Sequence, residues 1–194
     1  DNSPLVWALA FILYDFCYYW NHRLGHEMNL LWAAHVIHHS SEEYNLTTAL
    51  RQTSGSVLNW LFFIPMAFLG IPVETLVSIA ALNLVYQFWV HTQAIDQMPK
   101  WYEFLFVTPS NHRVHHAKNK IYVDKNFSGV FLWDRLFGTY QPELKEDKVI
   151  FKATEKKSHF LIFFLLQVSL NMSKANLKGN SGKLKDEKSL SLLH

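Results

Sequence analysis

The sequence predicts an all-α integral membrane protein, with a transmembrane helical hairpin and a cytosolic, His-rich helical cap that holds a di-metal site. Three observations predict it. Two adjoining stretches, Thr53 to Val73 and Thr75 to Ile95, contain no charged residue and are each long enough to cross a bilayer. The 194 residues include 11 His, and most of these fall in spaced clusters outside the two stretches. Aromatic residues make up 15% of the chain, with seven Trp and 15 Phe, a composition suited to lipid-facing helices with interfacial aromatic belts.

The remaining bulk properties narrow the class. A chain of 194 residues is long enough for one domain with a real core. A formal net charge of +2, with the lysines gathered toward the C-terminus and no basic stripe among aromatics, argues against a nucleic-acid partner. Cys17 is the single cysteine, so an intrachain disulfide and a cysteine zinc framework are both excluded.

Taken in order, the first element is LVWALAFILYDFCYYW, Leu5 to Trp20, apolar apart from Asp15. It is slightly short of the roughly 20 residues that span a bilayer. The chain opens on Asp1 with neither Met nor a basic segment, so no signal peptide is predicted and upstream sequence is expected to be missing. In the hairpin, GIPVE at 70–74 supplies the break: a Gly and a Pro end one helix, and Glu74 suits the first turn of the next. Pro65 is expected to kink the first arm without dividing it. A hairpin returns the chain to its starting side, which then carries Arg23, Arg51, Lys100, Arg113, Lys118, Lys120 and Lys125, against Glu74 alone at the turn. By the positive-inside rule that His-rich side is cytosolic. After Pro142 the composition turns to Lys, Glu, Ser and Asn, interrupted by FLIFFLLQVSL at 160–170, which is too short for a span and suits the interface. The predicted organisation is therefore a membrane catalytic domain over 1–142 and a divergent, largely disordered tail over 143–194.

Three histidine clusters carry the chemistry. His22 and His26 form an HxxxH, which on a helix sets two imidazoles on one face, one turn apart, with Glu27 directly after. His35, His38 and His39 form an HxxHH, in which i and i+3 are expected to share a face while His39 points about 100° away, so that one motif can serve two metals. His112, His115 and His116 repeat that spacing beyond the hairpin. Such tracts are neither contiguous nor of low complexity, unlike a metal-buffering run. Eight imidazoles exceed the needs of one ion, so two metals with four or five nitrogens each are the economical reading. An all-nitrogen set suits Fe, Zn, Cu or Ni, and a haem would use too few of these residues. Asp15 lies about two turns before His22 and is expected to face the same polar interior. Asp124, Asn126 and Asp134 flank the third box as candidate partners of ligand imidazoles, and Arg51 and Gln52 are candidates for a lipid head group or cofactor. Sequons at Asn45, Asn126 and Asn171 are expected to be unused, the first two lying beside metal boxes on the cytosolic face.

The order HxxxH, HxxHH, apolar hairpin, HxxHH resembles the fatty acid hydroxylase and sterol desaturase superfamily of membrane di-iron oxygenases. The segments DFCYYWNHRLGHEMNLLWAAHVIHHSSEEYNLTTALRQ (15–52) and NHRVHHAKNKIYVDKNFSGVFLWDRLFGTY (111–140) look most like its pterin-dependent, ether-lipid-cleaving branch. The resemblance covers about residues 5–142. It implies two Fe ions, dioxygen, tetrahydrobiopterin as reductant, and multi-pass residence in the endoplasmic reticulum membrane with the metal site facing the cytosol. It also implies an ether-lipid substrate, hydroxylated at its O-alkyl carbon and cleaved to a fatty aldehyde and a glycerol derivative. The metal roles it implies fall on His22, His26, His35, His38, His39, His112, His115 and His116, with His91 as a ninth; Glu27 is read as a catalytic-site carboxylate orienting an imidazole. A sterol or fatty-acyl hydroxylase or desaturase fed by a haem electron carrier, or an inactive truncated form, are the alternatives. The chain departs from the family pattern after Pro142.

Overall fold

The computed structural model describes residues 3–51 and 58–151. Among them the regular structure is helical, with two isolated bridges, Phe106 to Phe131 and Ala117 to Phe151, and no β-strand. Helix α1 (Pro4–Glu27) starts with Pro at its first turn and ends where Met28 turns extended. It runs 24 residues, so the apolar segment and the HxxxH box share one rod. Its buried positions, including Ala10, Tyr14, Cys17, Tyr18, Asn21, His22 and Gly25, recur at helical spacing and form one face. The upper part of that face packs Ala10, Tyr14 and Tyr18 against Met66 and Ile79, and Tyr14 stacks on Phe63 with ring centroids 4.8 Å apart.

Short helices α2 (Asn29–His35) and α3 (Leu46–Leu50) follow, separated by a 3-10 turn at His38–Ser40. Asn45 caps α3, its side chain accepting from Thr47 N–H while Thr48 Oγ1 bonds back to the Asn45 N–H. The first predicted hairpin arm, within its described part, is a 3-10 turn at Asn59–Phe63 running into α4 (Ile64–Phe68). Contrary to expectation it changes character at Ile64, because Pro65 fits the first turn of an α-helix, where it forfeits no hydrogen bond, better than an interior position, where it would. Gln52 and residues 53–57 of that arm, like the apolar segment at 160–170 and the tail beyond 151, lie outside the described residues. The break at 70–74 forms as read: Gly70 takes φ +70, Pro72 precedes the helix in extended conformation, and Glu74 sits in the first turn of α5 (Val73–Val90).

Helix α5 is long and apolar enough to cross a membrane. Its exposure pattern is inverted relative to a water-soluble helix. The buried stripe is Thr75, Ile79, Asn83, Gln87 and Val90, largely polar, whereas Val77, Leu82, Leu84 and Val85 are exposed by 60% or more. Gln87 Nε2 donates to Gly129 O at 2.9 Å, so the polar stripe holds the loops that surround the histidines.

The remaining helices are α6 (Lys100–Leu105), α7 (Pro109–His115) and α8 (Asp134–Phe137). Thr108 and Asn111 form a capping box on α7, whose residues are all buried. Val107, Val114, Ala117, Tyr122, Phe127 and Leu132 build a second core beneath it. Asp15, seven residues before His22 and so on the same side of α1, binds the 129–133 turn instead of a histidine, accepting Val130 N–H at 2.6 Å and, on its other oxygen, Phe131 N–H and Trp133 Nε1–H at 2.9 Å each. A buried carboxylate needs such donors, and the turn at 129–133 offers three. Residues 143–151, assigned from composition to the tail, lie against the helical body. Glu143 pairs with buried Arg113, and Phe151 stacks on Tyr44 at 4.8 Å.

Candidate metal centre

All nine histidines of the described residues converge. His22, His26, His35, His39 and His115 form one cluster and His38, His91, His112 and His116 another, with the candidate donor atoms within 4.8 Å of one another in each. The clusters abut, the rings of His39 and His116 stacking at 4.2 Å. His91, at the C-terminal cap of α5, belongs to the second cluster.

The division within the boxes differs from the expected one. His35 joins His39, not His38, and His112 joins His116, not His115. On an α-helix i+4 lies about 40° from i and i+3 about 60° away on the other side, so i+4 is the closer angular match. In the first box α2 also ends at His35, so His38 and His39 sit on a 3-10 turn where they can diverge. Each HxxHH box therefore serves both clusters, and the two boxes serve them in opposite order.

The ring nitrogens show what the clusters can do. His38 Nδ1 lies 3.0 Å from Thr48 O, His112 Nδ1 2.8 Å from Phe127 O and His115 Nδ1 2.7 Å from Lys125 O, and His91 Nδ1 faces Gln87 O. A carbonyl only accepts, so in each of these rings Nδ1 carries the proton and Nε2 keeps a lone pair. His22 is held likewise, by Asn126 Oδ1 at 2.8 Å. The lone pairs point inward and meet: His38 to His91 is 3.1 Å and His91 to His112 is 3.0 Å between Nε2 atoms. Two acceptors that close repel each other unless a cation lies between them. Nitrogens about 2.1 Å from one ion, at right angles to each other, lie about 3.0 Å apart, so the spacing is that of ligands sharing a metal. In the larger cluster His39 Nε2 is 3.1 Å from both His35 Nε2 and His115 Nε2. Buried His116 Nε2 has no hydrogen-bond partner among the described residues.

Electrostatics agree with that reading. Burial pushes His22 and His91 down to about 4, against the upward pull of their hydrogen bonds. Burial, reinforced by the neighbouring imidazoles, holds His35, His38, His39, His112, His115 and His116 well below the ordinary histidine range. The rings are thus neutral at physiological pH and available as donors to a metal. The donor set contains no carboxylate. Such a set gives a bound divalent ion an undiminished charge, which suits nitrogen-preferring transition metals.

Of the flanking candidates, Asn126 holds His22. Asp134 accepts the N–H groups of Asn126 and Phe127, and Asp124 sits at a left-handed bend, φ +63. Glu27 is more than half exposed and bonded by Arg23 Nε at 2.9 Å, on the outside of α1. Asn126 is buried and fully committed, so its sequon offers no glycan acceptor in the fold. The carbonyls of Thr48, Gln87, Lys125 and Phe127 have no sequence signal, since every residue has a carbonyl. Tyr44, buried beside His91 and His116 with ring centroids at 5.6 and 5.1 Å, walls the second cluster.

The family model for fatty acid hydroxylase matches residues 7–139, a span that contains both clusters entire. This chain belongs to the fatty acid hydroxylase family. Among curated members of that family or its relatives, the chain is 46% identical to an alkylglycerol monooxygenase of Xenopus tropicalis and 45% identical to that of Homo sapiens, each over 161 residues. Both alignments take in 82% of this chain but 35% of the relative, so the chain spans about a third of the length of these enzymes. It is also 26% identical over 195 residues to the ornithine lipid hydroxylase OlsE of Rhizobium tropici, covering 94% of this chain and 56% of that protein. No solved structure gives a significant match.

Proposed function

We propose that this fatty acid hydroxylase is a tetrahydrobiopterin-dependent di-iron monooxygenase that cleaves the O-alkyl bond of alkylglycerols and lyso-ether lipids. The observation that carries the reading is the pair of adjoining all-histidine clusters, five and four residues strong, in a chain 45% identical to human alkylglycerol monooxygenase. His22, His26, His35, His39 and His115 would hold one iron and His38, His91, His112 and His116 the other. Glu27 is left out of this set, because Arg23 engages its carboxylate at the rim of α1.

Bound iron would supply oxygen activation and hydrogen removal at the carbon beside the ether oxygen. The chain's own residues do the rest. Thr48, Gln87, Lys125 and Phe127 carbonyls fix the imidazoles with Nδ1 protonated, leaving neutral Nε2 donors. The buried clusters keep bulk water from the reacting centre, and the outward apolar face of α5 lets the alkyl chain of a membrane lipid approach from the bilayer. Hydroxylation yields a hemiacetal, which collapses to a fatty aldehyde and the free glycerol hydroxyl. Membrane embedding through α5 is supported by its length and inverted exposure. The endoplasmic reticulum, with the histidines toward the cytosol, is the location this topology fits.

The test is turnover of a long-chain alkylglycerol by membranes containing this chain, with and without tetrahydrobiopterin, the aldehyde being trapped as it forms. Aldehyde that depends on the pterin is expected. Turnover supported by a haem electron carrier instead would move the protein to a sterol or fatty-acyl hydroxylase branch. Iron-loaded protein with no turnover in either arm would mark it as an inactive form.

A further inference from the structure

Three consecutive residues after α7 orient three of the histidines. Lys125 O faces His115 Nδ1 at 2.7 Å, Asn126 Oδ1 faces His22 Nδ1 at 2.8 Å, and Phe127 O faces His112 Nδ1 at 2.8 Å. His22 and His115 belong to the larger cluster and His112 to the smaller. One short run of backbone therefore addresses both.

That run has a conformation a chain rarely adopts unaided. Asp124 and Phe127 take φ +63 and +39, left-handed values that L side chains disfavour. Such geometry persists only where the surroundings impose it. Here the imposing group is Asp134, fully buried, whose carboxylate accepts Asn126 N–H at 3.0 Å and Phe127 N–H at 3.1 Å, and also receives the Thr139 hydroxyl. The Asn126 amide is fixed in its turn, because Nδ2 donates to Tyr19 O at 3.2 Å and Ser128 Oγ at 3.0 Å, which leaves Oδ1 toward His22.

We propose that residues 125–127 are a shared positioning element for both metal centres, held in shape by Asp134, with Asn126 contributing its side chain. The inference rests on the reading that the nine histidines hold two metal ions. Neither Asn126 nor Asp134 is among the donor residues. Both act through His22, His112 and His115, by setting which ring nitrogen bears the proton and where the other points.

The two residues differ in reach, and that makes the proposal testable. Asn126→Leu removes the acceptor of His22 alone, so the larger cluster should bind iron about 10- to 100-fold more weakly while the smaller is unchanged. Asn126→Asp keeps an acceptor oxygen in place and should restore the affinity of the larger cluster. Asp134→Ala releases the whole run and should weaken both clusters over the same range. The full chain in detergent micelles would be titrated anaerobically with Fe(II), with the two sites resolved by Mössbauer spectroscopy. In parallel, the histidine ring nitrogens of the metal-free protein would be read by 15N NMR, where His22, His112 and His115 are expected protonated at Nδ1. The proposal is overturned if Asn126→Leu binds two irons as tightly as the parent, or if Asp134→Ala disturbs a single cluster. A merely structural role would lower the thermal stability of the Leu and Asp variants alike and leave relative iron affinities untouched. Should Asp134→Ala not fold, the contrast between Asn126→Leu and Asn126→Asp decides alone. If the parent binds fewer than two irons, yet the Nδ1 protonation of His22 is lost in Asn126→Leu and that of His22, His112 and His115 in Asp134→Ala, the two-metal reading fails and the positioning assignment stands.

Discussion

Neighbouring histidines in this chain do different work. His115 and His116 are adjacent, yet His115 donates toward the larger cluster and His116 toward the smaller. Replacing each by Ala should therefore remove a different iron. His115→Ala is expected to lose the Mössbauer signal of one site and His116→Ala that of the other, with ether-lipid turnover abolished in both. Identical residual spectra would show that the clusters do not bind as separate sites. Arg113, in the same helix, corrects a sequence argument at the same scale. Counted among the cytosolic charges, it is in fact buried, donating to Thr92 O, Ile95 O, Asp96 O and Glu143, so it locks loops together and contributes little to topology. The convergence of the nine histidines was legible because a site that could hold a metal constrains residue type and spacing strongly. The division of each box was not, because it depends on where α2 gives way to a 3-10 turn, a boundary that spacing alone does not mark.

Among the elements, α1 and the 129–133 turn form the contact most exposed to single changes. Gly129 takes φ +83, and a Cβ built there would lie 2.6 Å from Asp15 Oδ1. Gly129→Ala must either displace that carboxylate from its three donors or strain the backbone, at a cost of roughly 1–3 kcal/mol. A thermal melt of the detergent-solubilised protein should show the drop, and an unchanged midpoint would mean that the turn is not held by Asp15. Sequence reasoning saw that a carboxylate at position 15 of an apolar helix needs a partner. It named none, because two of the three donors are backbone N–H groups more than a hundred positions away that carry no residue-type signature. The same limitation hid residues 143–151: their composition is that of a solvated tail, while their contacts, Glu143 with Arg113, Asn119 with Ile150 N–H and Phe151 with Tyr44, are made by single residues scattered through the segment.

At the scale of the whole molecule, the two apolar stretches differ in reach. Helix α5 has the length, but the described helical stretch before it, Asn59–Phe68, spans only about 18 Å, at roughly 2.0 Å per residue in its 3-10 turn and 1.5 Å in α4, against a hydrocarbon core of roughly 30 Å. If the full arm crosses as the sequence predicts, a Cys at Glu74 and a Cys at Lys118, each introduced with Cys17 replaced, should label from opposite sides of sealed microsomes. Labelling from one side alone would show that α5 does not cross. The all-helical class and the partnership of the two sequence halves were readable in advance, since both follow from apolar length and repeated spacing.

The interleaving of the clusters has a consequence for how this protein can change over time. Each HxxHH segment contributes to both clusters, and the 125–127 run steadies rings in both. Neither site is carried wholly on segments of its own. Loss of either HxxHH segment takes histidines from both clusters at once, whereas the HxxxH segment and single positions such as His115 or His116 bear on one cluster alone.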